Sequence, residues 1–237
     1  YSFHPDDADC ERFYGEMVEA YKKVFTGCGL RFRPVLADSG AIGGSFSHEF
    51  MVLADTGEET IVSCASCDYA ANVERAECKS DPTQSTASSG PLEEVHTPGA
   101  TSVEEVAKLL GAKPEQFFKT QLYLSDGEPV MALVRGDHEL NERKLARKLG
   151  STVLERATEA QYQAITGSPG GFAGPVNLPR WKTPEGQMRE VRIVADDAVL
   201  GMASGISGAN KKDYHLKNID YRGGRNFGIN TAGDLRM

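Results

Sequence analysis

Apolar positions fall into short, well-separated patterns along this chain, and their period changes from stretch to stretch. In residues 5–29, Phe13, Tyr14, Met17, Val18, Tyr21, Val24 and Phe25 recur every three to four positions with charges between them, which predicts an amphipathic helix. Asp6 or Asp7 can cap its start and Gly27 or Gly29 its end. Residues 31–37 read as extended. Residues 49–54 and 59–63 read as two strands joined by Asp55-Thr56-Gly57-Glu58, a hairpin signal with glycine at the turn. Further along, Thr101-Ser102-Val103-Glu104 resembles a capping box and predicts a helix through Leu110, closed by Gly111. Residues 117–124 and 129–135 predict two strands around Ser125-Asp126-Gly127-Glu128. Residues 141–149 predict a helix ending at Gly150, and 158–165 another ending at Gly167. Strands follow over 191–195 and 215–219. Helices and strands mix without a regular βαβ repeat or a solenoid period. The fold class this predicts is mixed α/β (α+β), built on a largely antiparallel or mixed sheet with surrounding helices.

Two stretches break the patterns. Residues 79–91 are rich in Ser, Thr and Pro and hold no apolar residue larger than Ala, which marks a linker. Gly170-Gly171-Phe172-Ala173-Gly174-Pro175 packs three glycines and a proline into six positions. That composition suits neither a helix nor a central strand, and it can bring backbone N–H groups close to a carbonyl or phosphate oxygen.

Charge sharpens the division. The chain has 237 residues and a net charge of -8. Residues 1–91 carry 7 Lys and Arg against 15 Asp and Glu, whereas residues 92–237 carry 19 of each. An acidic whole argues against a free-standing, tight nucleic-acid binder. The neutral second part could still hold an RNA end that something else delivers. Apolar runs such as Val130-Met131-Ala132-Leu133-Val134 are too short to span a bilayer. Five cysteines, an odd number thinly spread, do not read as a disulfide framework and point to a reducing, cytoplasmic setting.

Several residues can carry chemistry. Lys119 lies mid-strand on the face of Phe117, Gln121 and Tyr123; it is either an ordinary solvated lysine or a cation for a phosphate or developing oxyanion. Asp137, His138 and Glu139 form the one compact acid–histidine–acid cluster, for which substrate positioning is favoured over metal binding. Cys64 and Cys67 have the spacing of a zinc knuckle with Cys78 as a third thiol, but a structural zinc site needs four ligands. Arg143, Lys144, Arg147 and Lys148 form a basic stripe that either pairs with acidic neighbours or contacts an RNA backbone.

Specific strings then connect the chain to a known family. Tyr1-Ser2-Phe3-His4, the run Ser39-Gly40-Ala41-Ile42-Gly43-Gly44-Ser45-Phe46-Ser47-His48-Glu49-Phe50, and Cys67-Asp68-Tyr69-Ala70-Ala71-Asn72-Val73-Glu74 resemble bacterial-type prolyl-tRNA synthetases. Glu94-Val95-His96-Thr97-Pro98, residues 134–141, Gly171 to Pro175 as G-x-x-x-P, and Phe227-Gly228-Ile229-Asn230 resemble the editing insertion of that family, which is similar to free-standing YbaK-like deacylases. The resemblance implies a partial class II core over 1–78, a linker over 79–91, an editing domain over 92–230 and a segment over 231–237 returning towards the core.

The resemblance also implies a function: hydrolysis of alanine wrongly esterified to proline tRNA, with the aminoacylated 3′ end of that tRNA as partner and no cofactor. ATP and magnesium belong to the parent ligase, which the family likeness makes a homodimer without membrane attachment. Proline activation is not expected of this stretch. Lys119, Gly171, Gly174 and Pro175 match the family's catalytic positions. Asp137, His138, Asn141, Ser204, Arg225 and Asn230 are the implied substrate-binding positions, and His4 and Glu49 the candidates for a partial proline site. Two positions depart from the family: Ser204 stands where an Asp is common, and Arg225 where a His is common. An editing-inactive insertion that only binds or positions aminoacyl-tRNA, or supports the ligase core, is the alternative.

Overall fold

The computed structural model describes residues 1–37, 47–78, 90–183, 186–222 and 226–237. It divides into two compact units, Tyr1–Ala76 and Glu77–Met237. The division falls ahead of the expected linker, of which residues 79–89 lie outside the described residues.

In the first unit, α1 (Asp7–Gly27) opens where the Asp6 carboxylate accepts the Asp9 N–H at 2.9 Å. Its aromatic stripe meets a sheet of β1 (Phe32–Ala37), β2 (Ser47–Val52), β3 (Ile61–Ser63) and β4 (Ala70–Asn72), in the order β2-β1-β4-β3. Tyr21 and Phe25 stack on Phe50 at ring distances of 5.2 and 5.4 Å. The hairpin expected across Asp55–Glu58 does not form: β2 pairs with β1, and β3 with β4. The local turn chemistry was suitable, but long-range pairing decides partners, and β1 offers β2 six paired positions.

The second unit begins with β5 (Glu93–His96) and α2 (Val103–Leu110). Ser102 and Glu105 cap α2 reciprocally, and Gly111 closes it in the left-handed region. Next come β6 (Phe118–Ser125) and β7 (Glu128–Arg135), a register-perfect antiparallel hairpin. Its two-residue turn, Asp126 and Gly127, has positive φ at both positions (49° and 85°), the geometry that matches strand twist. Then follow α3 (Glu142–Leu149) capped by Asn141, β8 (Leu154–Arg156), and α4 (Glu159–Thr166) capped by Thr158. A small hairpin of β9 (Trp181–Lys182) and β10 (Met188–Arg189) precedes β11 (Arg192–Asp196) and the short α5 (Asp197–Leu200). The last strands are β12 (Gly205–Gly208), β13 (Tyr214–Ile219) and β14 (Thr231–Gly233).

Five of these strands form one mixed sheet in the order β14-β11-β7-β6-β8. β6 is antiparallel to β7 and β8, while β11 runs parallel to β7 and β14. The parallel pairing of β7 with β11 is open to this chain because a long connection separates them. An antiparallel sheet of β12-β13-β5 touches the first through the Phe117–Ile206 bridge. The five-stranded sheet is covered on both faces. Phe118, Leu122, Met131, Leu133 and Ile193 pack on one side with Ile165, Leu216 and Phe227. Tyr123, Val130, Ala132 and Val194 pack on the other with Leu145 and Leu235. Lys119 therefore shares its face with a covered core, not the solvated surface that alternation alone left open.

Residues 231–237, expected as a segment returning towards the first unit's core, are part of this second unit. Leu235 is fully buried, its N–H donates to Asp196 Oδ2 at 2.8 Å, and its carbonyl accepts from Asn141 N at 2.7 Å. A strand edge at β11 and an apolar gap beside α3 are what the segment fills. Among the described residues no helix is long and apolar enough to cross a membrane.

Candidate active site

A cavity of about 420 Å³ opens where the start of β6, the first turn of α2, the glycine loop and the end of β12 converge. Lys119 and Gly171, two of the residues singled out from sequence, both line it, with Thr101, Thr120, Glu139, Ser207, Gly208 and His215. Lys119 is held in the wall rather than waving in solvent. Its side chain is 23% exposed, with the ammonium 2.5 Å from Glu139 Oε1 and 3.5 Å from the His138 carbonyl.

The glycine loop contains one 3-10 turn, Gly170–Phe172, where the composition had argued against any helix. None of its glycines has positive φ. They are needed for close approach of backbone to backbone instead. A Cβ on Gly171 would sit 2.5 Å from Thr101 Cβ and 2.9 Å from Thr101 Cα. A Cβ on Gly174 would collide with the Gly208 carbonyl oxygen, and one on Gly208 with the Phe172 backbone. Asn210 completes the clamp: its side chain accepts from Gly174 N at 2.9 Å and donates to the carbonyls of Gly174 and Val176 at 2.9 and 2.8 Å. The N–H groups of Gly170, Phe172, Ala173 and Gly174 are thereby taken by Glu159, Pro169, Gly170 and Asn210. Among the described residues no acceptor takes the Gly171 N–H, as is usual for the first donors of a helical turn. Pro175, which ends the loop, is buried.

His215, on β13, forms the far wall. It is 5% exposed, its Nδ1 lies 2.7 Å from Thr97 Oγ1, and its ring meets Phe172 of the glycine loop edge-on at 5.7 Å. Burial pushes its imidazole down to about 4, so the ring is neutral at pH 7. Thr120 Oγ1 and Ser207 Oγ are 2.8 Å apart across the β6–β12 contact. His215, Ser207, Thr120 and Thr101 were not singled out as site residues from sequence. The signal for His215 was present: a histidine at an inward position of a strand, opposite Val95 of β5.

The remaining sequence-level candidates fall elsewhere. Asp137 is gripped by Arg135 (Nε–Oδ1 2.6 Å, Nη2–Oδ2 2.8 Å), which holds its carboxyl below the usual range. Arg135 also reaches His138 Nε2 at 3.0 Å, and burial lowers the His138 imidazole; among the described residues its buried Nδ1 finds no partner. Neither lines the cavity; together they fix the loop whose next residue, Glu139, does. Asn141 caps α3, accepting from Arg143 N and Lys144 N at 3.1 Å. Asn230 accepts the Ile193 N–H at 2.6 Å and so ties β14 to β11. Ser204 sits half-buried just before β12. Arg225 lies outside the described residues. The basic stripe is partly spent: Lys144 is 4% exposed and bonded to Asp234 at 2.8 Å.

In the first unit, His4 lies between Asp9 and Ser2, each at 2.7 Å, and Glu49 accepts from Asn72 at 3.4 Å. Cys64 accepts the Ser66 N–H at 3.3 Å, and that contact, then the neighbouring Cys67 thiol, lowers the Cys64 thiol. Cys78 belongs to the second unit. Among the described residues no three His, Cys, Asp or Glu side chains gather as metal ligands would.

Comparison with known proteins places the chain in a family. Residues 97–222, more than half of the chain, match the family described as the aminoacyl-tRNA editing domain. All 237 residues align with a proline–tRNA ligase of Nitratidesulfovibrio vulgaris (strain DP4) at 52% identity. The whole chain likewise aligns with proline–tRNA ligases of Geotalea daltonii at 48% and Geobacter sulfurreducens at 50%. The chain spans 39% of the length of each of these relatives. Among solved structures, one described as a candidate trans-editing enzyme for prolyl tRNA synthetase shares the fold, with a TM-score of 0.51 at 22% identity, over 62% of this chain and 87% of that one. The chain belongs to the aminoacyl-tRNA editing-domain family, carried within a stretch of sequence like that of proline–tRNA ligases.

Proposed function

We propose that the second unit hydrolyses the ester of alanine mischarged onto proline tRNA. The observation that carries this reading is the meeting of Lys119 and the Gly171 loop on one cavity wall. An aminoacyl ester is already activated, so its hydrolysis depends on placement and oxyanion stabilisation more than on a protein nucleophile. Lys119 takes the phosphate next to the terminal ribose, and the untaken Gly171 N–H donates to the ester carbonyl as negative charge develops on its oxygen. Water adds to the carbonyl carbon, the bond to the ribose oxygen breaks, and that oxygen leaves with a proton. Alanine and an uncharged tRNA end result, and no cofactor takes part. In this reading alanine is told from proline by size, the smaller side chain being accepted and the larger ring refused.

The test is deacylation of alanyl-tRNA for proline by the purified 237-residue chain, with prolyl-tRNA as the counter-substrate. Wild type should hydrolyse the first and spare the second, and Lys119→Ala should lose on the order of 100-fold in rate through lost placement. Binding of alanyl-tRNA without turnover would instead identify a binding module, and full activity in Lys119→Ala would remove the lysine from the site.

A further inference from the structure

We propose that Glu139 receives the α-ammonium of the substrate's amino acid, exchanging partners with Lys119 as the substrate enters; this rests on the cavity being a site for an aminoacyl ester. Such an ester brings two opposite charges close to the scissile carbonyl. One is the ammonium on the neighbouring carbon, and the other is the phosphodiester beside the terminal ribose. The cavity wall carries a matching pair of opposite charges, Lys119 and Glu139, which satisfy each other at 2.5 Å. When the phosphate takes Lys119, the Glu139 carboxylate loses its partner beside the place where the ammonium arrives.

The surroundings fix which partner moves. Lys119 is only 23% exposed and is steadied by the His138 carbonyl, whereas the Glu139 side chain is 69% exposed and free to swing. The Glu139 main chain, by contrast, is pinned. The Met237 N–H donates to the Glu139 carbonyl at 3.0 Å, and Leu140 bridges to Arg236. A mobile carboxylate on a fixed backbone can change partners without disturbing the wall. A second carboxylate, Glu104 on the first turn of α2, also reaches the cavity, but it does not stand beside the lysine that holds the phosphate.

The experiment compares alanyl-tRNA with N-acetyl-alanyl-tRNA, in which the positive charge is gone, using the 237-residue chain as wild type, Glu139→Gln, Glu139→Asp and Glu104→Gln. The intrinsic reactivities of the two esters cancel between variants, so the readout is the ratio of kcat/KM values. Wild type should favour the free amine by about tenfold more than Glu139→Gln does, the usual scale of a charge-assisted hydrogen bond. Glu139→Asp should keep part of that preference and Glu104→Gln all of it. An undiminished preference in Glu139→Gln, or its loss in Glu104→Gln alone, overturns the assignment while leaving the hydrolysis intact. Failure of wild type to hydrolyse either ester overturns both the assignment and the function beneath it.

Discussion

Replacing Gly171 by alanine separates two reasons for having glycine at that place. Its φ lies outside the left-handed region, so alanine fits the backbone conformation and nothing is lost there. The added Cβ, however, would stand 2.5 Å from Thr101 Cβ and 2.9 Å from Thr101 Cα, against roughly 3.5–4.0 Å for carbon atoms at rest. About 1 Å of displacement must be found, either in the 3-10 turn or in Thr101. Thr101 is not free to yield, because its N–H is held by Glu105 at 2.9 Å within the capped start of α2. Overpacking of this kind costs about 1–3 kcal/mol. In a unit of this size that lowers Tm by roughly 2–12 °C. The same displacement moves the proposed oxyanion donor, and a misplacement of about 1 Å is worth on the order of 100-fold in rate. Thermal unfolding and single-turnover deacylation read the two effects separately. Thr101→Gly removes the struck methyl-bearing carbon and should restore part of both. Gly228→Ala, whose Cβ would meet nothing within 4 Å, is the neutral control. A Gly171→Ala chain that unfolds and hydrolyses like wild type would show that the loop and Thr101 are not packed as described.

Two further outcomes follow from burial. His215 is held at about 4 against an ordinary 6.5, so between those values the unfolded chain binds a proton that the folded chain refuses. Stability should fall as pH drops through that window, by on the order of 3 kcal/mol in total, and level off below it; urea unfolding of wild type should show this excess slope over His215→Asn, and equal slopes would remove His215 as its source. Leu235→Ala should cost roughly 2–5 kcal/mol, since Leu235 is fully buried beside Tyr123, Leu145 and Val194; an unchanged denaturation midpoint would mean that residues 231–237 do not belong to this core.

Local chemistry made much of the second unit legible. The alternation of residues 117–135 around Asp126-Gly127, and the closing glycines Gly111, Gly150 and Gly167, each determine their element within a few residues, and β6, β7, α2, α3 and α4 stand where those signals put them; the capping box of α2 is Ser102 with Glu105, one residue on from the pair expected, Thr101 with Glu104. What sequence could not supply was partnership at long range. The Asp55–Glu58 turn suits a hairpin, yet β2 and β3 pair elsewhere. The short strand Gly205–Gly208 has no alternation to read, and its Gly208 matters because Phe172, far away in sequence, lies against it. The glycine loop was recognisable from composition, but the reason for its glycines was not, because the atoms that demand them belong to Thr101 and Gly208. Gly171 could be named in advance because it belongs to a recognisable G-x-x-x-P string, and Lys119 because a lysine stands mid-strand at the position that the family likeness implies. His215 and Ser207 enter the wall only once β12 and β13 are folded beside β6.

One hydrogen bond in the second unit bears on how such a unit travels between proteins. The Cys78 N–H donates to Asp234 Oδ2 at 2.9 Å across a sequence separation of 156 residues, and Lys144 braces the same oxygen from below at 2.8 Å. The first residues of this unit thus lie against its last strand through one carboxylate, close to where Leu235 enters the core. A host protein that receives the unit at a surface turn sees only two chain ends side by side, however large the fold between them. Splicing residues 77–237, buried Leu235 included, into an exposed loop of an unrelated carrier should therefore keep the unit's core whole, whereas cutting at the limits of family likeness, residues 97 and 222, would strand β5 and β14 outside the graft.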